Sequence, residues 1–149
     1  MASRKPASYR PVSPVRDLLA RSGARITPAR ETVLAILLEA TRALSHLEVE
    51  QAARERGLDA DRVTLYRVLD WLVGQGLAHR IEGQDRVRRF NAARAEEHAH
   101  AHFHCTRCGK VFCLEQPLPR LKPHLPDGFR FEGMELTIQG LCPACSTQS

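Results

Sequence analysis

A chain of 149 residues with 43% hydrophobic content can fold one domain or two small ones, which excludes a disordered tail. No apolar run approaches the roughly 20 residues that span a bilayer, and the first residues lack the apolar core of a signal peptide, so the expected location is the cytoplasm. The net charge of +5 is uneven, with 17 of the 22 Lys/Arg but 11 of the 17 Asp/Glu up to Ala95. A basic N-terminal half suits a phosphate-binding surface, since each neutralised phosphate releases a counterion.

Residues 1–13 mix Pro, Ser and basic side chains without periodicity and read as a flexible arm. Val15, Leu18 and Leu19 have helical spacing, and Gly23 stops that helix. Thr27 is an N-cap, with Pro28 at the first helical position, for a buried helix carrying Val33, Leu34, Ile36, Leu37 and Leu38. Ser45 and Glu48 make a capping box for a third helix with Leu47, Val49, Ala52 and Ala53, ended by Gly57. Asp61 caps a fourth, with Val63, Tyr66, Leu69, Leu72 and Val73, which stops at Gly76. Alternation through Leu77, His79 and Ile81, a polar turn at Glu82–Asp85, then Val87 and Phe90 predict a hairpin.

Short helices followed by a hairpin are the order of a winged helix-turn-helix, expected over 14–90. Residues 91–97, rich in Ala and charge, read as a hinge. Over 98–149 the composition turns to Cys, His, Phe and Pro, with strand-like Val111–Leu114 and Leu136–Leu141 around a short helix near Leu118–Leu125. This predicts a second, smaller α/β domain and an α+β fold overall.

Cys105-Thr106-Arg107-Cys108 and Cys142-Pro143-Ala144-Cys145 are two C-x2-C pairs. Each spacing lets one turn present two thiolates to one ion, and two such turns complete a tetrahedral shell that favours a closed structural zinc site. A redox C-x-x-C needs a βαβ context that is missing here. Before the first pair, His98, His100, His102 and His104 alternate, so a strand would put all four imidazoles on one face. Neighbours about 7 Å apart can share an ion, whereas the outer two, roughly 20 Å apart, cannot. The fifth cysteine, Cys113, lies where a returning strand could aim a thiolate at them; otherwise it is a small buried hydrophobe.

These residues resemble a known family. Arg25-Ile26-Thr27-Pro28-Ala29-Arg30 is similar to the R-x-T-P-x-R opening of the ferric-uptake-regulator family, and Thr64-Leu65-Tyr66-Arg67 to its T-V-Y-R recognition helix. His100-x-His102-x-x-Cys105-x-x-Cys108-Gly109 and Gly140-Leu141-Cys142-x-x-Cys145 are similar to its metal core. The resemblance runs from about Leu18 to Cys145. It implies a dimeric repressor in which metal sets the angle between a winged-helix domain and a dimerisation domain, on inverted-repeat operator DNA. It also places Arg25, Arg30, Thr64, Tyr66 and Arg67 at the DNA, with Tyr66 on a thymine methyl and Arg67 reading a purine.

The branch follows from the regulatory ligands. Iron and peroxide sensors of the family have a histidine before the third helix, where this chain has Ala43 and Leu44, and a carboxylate where it has Cys113. Zinc sensors have histidines matching His79 and His98, and a cysteine near the position of Phe90. The resemblance thus implies a zinc sensor whose thiolate has moved to Cys113, with His100 first and His102 next for the remaining ligand. One structural and at least one regulatory Zn2+ per chain are expected. An iron, manganese or peroxide sensor is the alternative. A zinc-ribbon interaction module would leave the histidines and Cys113 idle, and the carboxylate patterns of zinc hydrolases and deaminases are missing, so no enzymatic activity is expected.

Overall fold

A computed structural model describes residues 14–93, 100–114, 123–132 and 134–148. The arm, His98, and most of the 91–97 hinge and of the helix expected near Leu118–Leu125 lie outside them.

The N-terminal unit starts with α1 (Pro14–Arg21) and α2 (Pro28–Glu39). The Thr27 side chain accepts from the Arg30 N–H at 3.3 Å, satisfying one of the donors that a helix start leaves unpaired. The strand β1 (Leu44–Ser45) leads into α3 (His46–Glu55). Here the capping box forms both ways: Glu48 N–H donates to Ser45 Oγ at 3.3 Å, and Ser45 N–H donates to Glu48 Oε2 at 2.8 Å. Asp61 caps α4 (Arg62–Gly74) by accepting from Thr64 N–H at 2.7 Å.

The buried face of α4 is Leu65, Val68, Leu69 and Leu72, each contributing about 1.5–3 kcal/mol of apolar burial. They pack on Val33, Leu34, Ile36 and Leu37 of α2, Val49 of α3 and Phe90. Leu47 and Val63, apolar members of the helical patterns, are exposed, as is Tyr66. The helix has room for one stripe against α2, and these side chains lie off it.

The wing is β2 (Ala78–Glu82) paired antiparallel with β3 (Arg88–Ala92), and β1 joins them in the order β1-β3-β2. It therefore has three strands where two were expected, with Leu44 opposite Phe90. Asn91 and Ala92, expected in the hinge, still belong to β3. Strand alternation gives the wing two working faces. Ala78, Phe90 and Ala92 point into the helical core, whereas His79 and Ile81 point the other way.

That outer face meets the second unit. Ile81 packs with Ala43 and Val111, and Ala43 N–H donates to the Val111 carbonyl at 2.8 Å. The second sheet has the order β5-β4-β6, from β4 (His100–Cys105), β5 (Val111–Leu114) and β6 (Glu135–Gly140). The strand β4 is antiparallel to β5 and parallel to β6. A single turn, α5 (Pro143–Ser146), closes the described chain.

Candidate metal centres and DNA-facing surface

The four paired cysteines converge. One thiol sulfur from each of Cys105, Cys108, Cys142 and Cys145 lies within 4.8 Å of the others. Cys108 Sγ and Cys142 Sγ are 3.8 Å apart, the edge that a tetrahedron with metal–sulfur bonds of about 2.3 Å requires. Phe103 and Phe112 pack around the sulfurs. Gly140 lets the Phe103 ring close over the strand end, since a Cβ there would stand 3.1 Å from Cζ. Arg107 Nη1 donates to the carbonyls of Cys145, at 2.7 Å, and Gln148, at 2.9 Å, tying the last turn to the first knuckle.

The thiols are electrically unequal. Main-chain N–H groups of Cys108 and Cys142 pull Cys105 down to about 6, whereas burial and then hydrogen bonds among the neighbouring thiols push Cys145 up to about 12. Four soft donors in a closed, largely buried shell suit zinc held structurally, with no coordination site for substrate.

A second cluster joins the two units. One ligand atom each from His79, His102 and Cys113 lies within 4.8 Å of the others. His102 and Cys113 are cross-strand partners on β4 and β5, and the His79 ring stands 5.9 Å from that of His102. His79 arrives from the wing because it shares the outward face with Ile81. Phe90 is on the opposite face, buried in the helical core, so a side chain there points away from this cluster.

Of the expected regulatory ligands, the structure thus brings together His79, His102 and Cys113. His100 stands two residues earlier on β4, paired with Glu135, and His98 is outside the described residues. The sequence ranks His100 ahead of His102, but it is His102 that stands opposite Cys113. His104, next along the strand, is buried beside Val111.

In the N-terminal unit, Arg62, Val63, Thr64, Tyr66 and Arg67 form the exposed face of α4. Arg25 is also exposed. Arg30 is half-buried, with its guanidinium 3.8 Å over the Trp71 ring and Nη1 donating to the Arg25 carbonyl at 2.7 Å. Asp70 of α4 forms an ion pair with Arg80 of β2, fastening the helix to the wing.

Sequence reasoning passed over His46. Its ring is buried and stacks under Tyr66 with centroids 3.6 Å apart and planes 18° from parallel. Its sole sequence signal is its place inside the Ser45 capping box. Burial pushes its imidazole below the ordinary value; the Arg62 main chain and the Glu50 carboxylate oppose this, and the Arg62 charge adds to it.

A helix-turn-helix with a wing, joined to a small sheet bearing a thiolate shell and a mixed imidazole–thiolate cluster, defines a metal-dependent DNA-binding regulator. Comparison with known proteins gives the family. The ferric uptake regulator family profile matches residues 21–139. The zinc uptake regulation protein of Escherichia coli is 30% identical over 133 residues, covering 86% of this chain and 77% of that protein. The ferric uptake regulation protein of Bacillus subtilis is 29% identical over 140 residues, covering 89% and 92%. A solved zinc uptake regulator complexed with zinc and DNA superposes with a TM-score of 0.60 at 25% identity, covering 91% of this chain and 97% of that one.

The chain belongs to the ferric uptake regulator family. It is a transcriptional regulator and not an enzyme, and regulators of this family are DNA-binding dimers. Among the described residues no helix is long and apolar enough to cross a membrane.

Proposed function

We propose that this protein is a zinc-responsive repressor that binds an inverted-repeat operator as a metal-loaded dimer and controls zinc uptake and homeostasis genes from the cytoplasm. The observation that carries the reading is the His79–His102–Cys113 cluster. Two imidazoles and a thiolate form a borderline-soft donor set that suits zinc better than iron or manganese, which prefer more oxygen ligands. His98 or His100 supplies a fourth ligand. The zinc uptake regulation protein and the solved zinc uptake regulator support this branch, although the family relatives also include an iron regulator.

The ligands belong to a winged-helix domain, which runs from Pro14 through β3 to Ala92, and a dimerisation domain, 98–149. A bound ion supplies a link between them. His79 then fixes the outer face of the wing against β4 and β5, which favours one angle of α4 to the dimer axis. Metal and DNA select the same geometry, so each raises affinity for the other by the same factor. The paired cysteines hold a structural zinc. Phe129, Phe131, Ile138 and Leu141, exposed in the single chain, are the apolar surface that a second copy covers. On α4, Tyr66 meets a thymine methyl and Arg67 a purine edge, with Arg25, Arg30 and Thr64 at the backbone.

The test is Cys113→Ser, assayed on an inverted-repeat library across buffered zinc, iron and manganese. The variant is expected to fold, dimerise and keep one zinc per chain, yet to need far more free zinc for DNA binding. Unchanged zinc dependence would return Cys113 to a packing role, and wild-type binding driven by iron or manganese at lower free concentration would reassign the sensed metal.

A further inference from the structure

We propose that His46 is a positioning residue for DNA recognition: its imidazole is the plate on which the Tyr66 ring rests, and it thereby sets base preference where Tyr66 meets DNA. The inference rests on the reading of Tyr66 as a base contact.

An exposed aromatic side chain on a helix samples more than one χ1 well and loses that freedom when it binds, weakening the contact. Tyr66 is 44% exposed, yet one face of its ring is covered by His46. The near-parallel stack leaves the opposite face and the hydroxyl edge to the outside.

The plate is itself held firmly. His46 is the first residue of α3, where the Ser45–Glu48 capping box fixes the backbone. Arg42 Nη2 in turn donates to Glu48 Oε1 at 2.6 Å. The stack crosses the helix-turn-helix, so the ring of the second helix is registered on the start of the first. Helix α4 supplies the other half of the constraint through the buried Leu65 and Leu69 that flank Tyr66 in sequence.

Packing alone does not account for a histidine here. Its Nε2 is buried with no hydrogen-bond partner among the described residues, a cost that an apolar side chain of similar size avoids. A flat, thin ring is what the Tyr66 face requires, and offset aromatic pairs gain beyond their buried area. Burial, helped by the Arg62 charge and opposed by the Arg62 main chain and the Glu50 carboxylate, pushes the imidazole below its ordinary value and so favours the neutral ring against the tyrosine.

The experiment uses the full chain as a zinc-loaded dimer on an inverted-repeat library randomised at every half-site position. Tyr66→Ala should flatten preference at one position per half-site. His46→Leu fills the slot without a plate and should flatten that same position by about 2- to 10-fold, the size of one aromatic pair, leaving the others alone. His46→Phe, which restores a plate, should keep the preference within about twofold. Should His46→Leu fail to dimerise, His46→Ala takes its place. A His46→Leu variant that keeps the preference at that position, or weakens all positions equally, while Tyr66→Ala flattens one, overturns the positioning role alone. If Tyr66→Ala leaves every preference intact, the base-contact reading fails and this inference with it.

Discussion

The guanidinium carbon of Arg30 lies 3.8 Å from the centre of the Trp71 ring, so the first turn of α2 clamps the C-terminal half of α4. Its Nη1 also donates to the Arg25 carbonyl at 2.7 Å, leaving less of the side chain for the DNA contact that the resemblance implies. Arg30→Ala is expected to lower unfolding free energy by about 1 kcal/mol, from the lost cation–π contact. Operator affinity should fall without a change in base preference. Urea denaturation beside a binding titration checks this; full stability with weakened binding would make Arg30 a phosphate ligand only.

Cys105→Ser breaks the closed thiolate shell and with it the tie between β4 and the last turn. Because a structural zinc supplies folding free energy directly, the variant should lose metal, melt earlier and fail to dimerise. Zinc content per chain, sedimentation and thermal melting report all three. A variant with full zinc and an unchanged dimer would rule the site out.

Arg67 stands exposed beside Tyr66 on α4. If it donates two hydrogen bonds to a guanine, Arg67→Ala should cost about 1–3 kcal/mol and relax specificity at one position per half-site. Uniform weakening across the library, with a shallower salt dependence, would mean a phosphate contact instead.

Asp85 and Arg89 pair across the wing turn, with Arg89 Nη2 donating to Asp85 Oδ2 at 2.7 Å beside Gly109 of the knuckle. The Arg89 guanidinium holds the Asp85 carboxyl at about 2, below its ordinary 3.8. A carboxyl depressed on folding stabilises above its unfolded value and loses that contribution as pH falls through its native one. The gain should therefore be complete above about pH 4 and vanish near pH 2. Asp85 is 43% exposed, so screening limits it to about 1 kcal/mol or less. Asp85→Asn should remove this pH dependence from denaturation curves between pH 2 and pH 5; an unaltered profile would show that the pair contributes nothing.

Local signals in the chain carried the elements that local chemistry makes. The caps at Thr27, Ser45 and Asp61 are legible because a side-chain oxygen three residues before an N–H is a contact within one turn. Gly23, Gly57 and Gly76, all at positive φ, mark helix ends for the same reason. The two C-x2-C pairs announce a thiolate shell, since each half is built by adjacent residues. Long-range placement needed the folded chain. Periodicity alone does not say which stripe of α4 meets α2, so Val63, which shares the helical apolar pattern, lies on the surface. Nor does it say that Leu44 adds a strand to the wing, or that β5 aligns Cys113 with His102 and not with His100. Register between strands is set by packing at the unit boundary, where Ala43, Ile81 and Val111 meet, and a one-residue slip there would turn the thiolate to the other face.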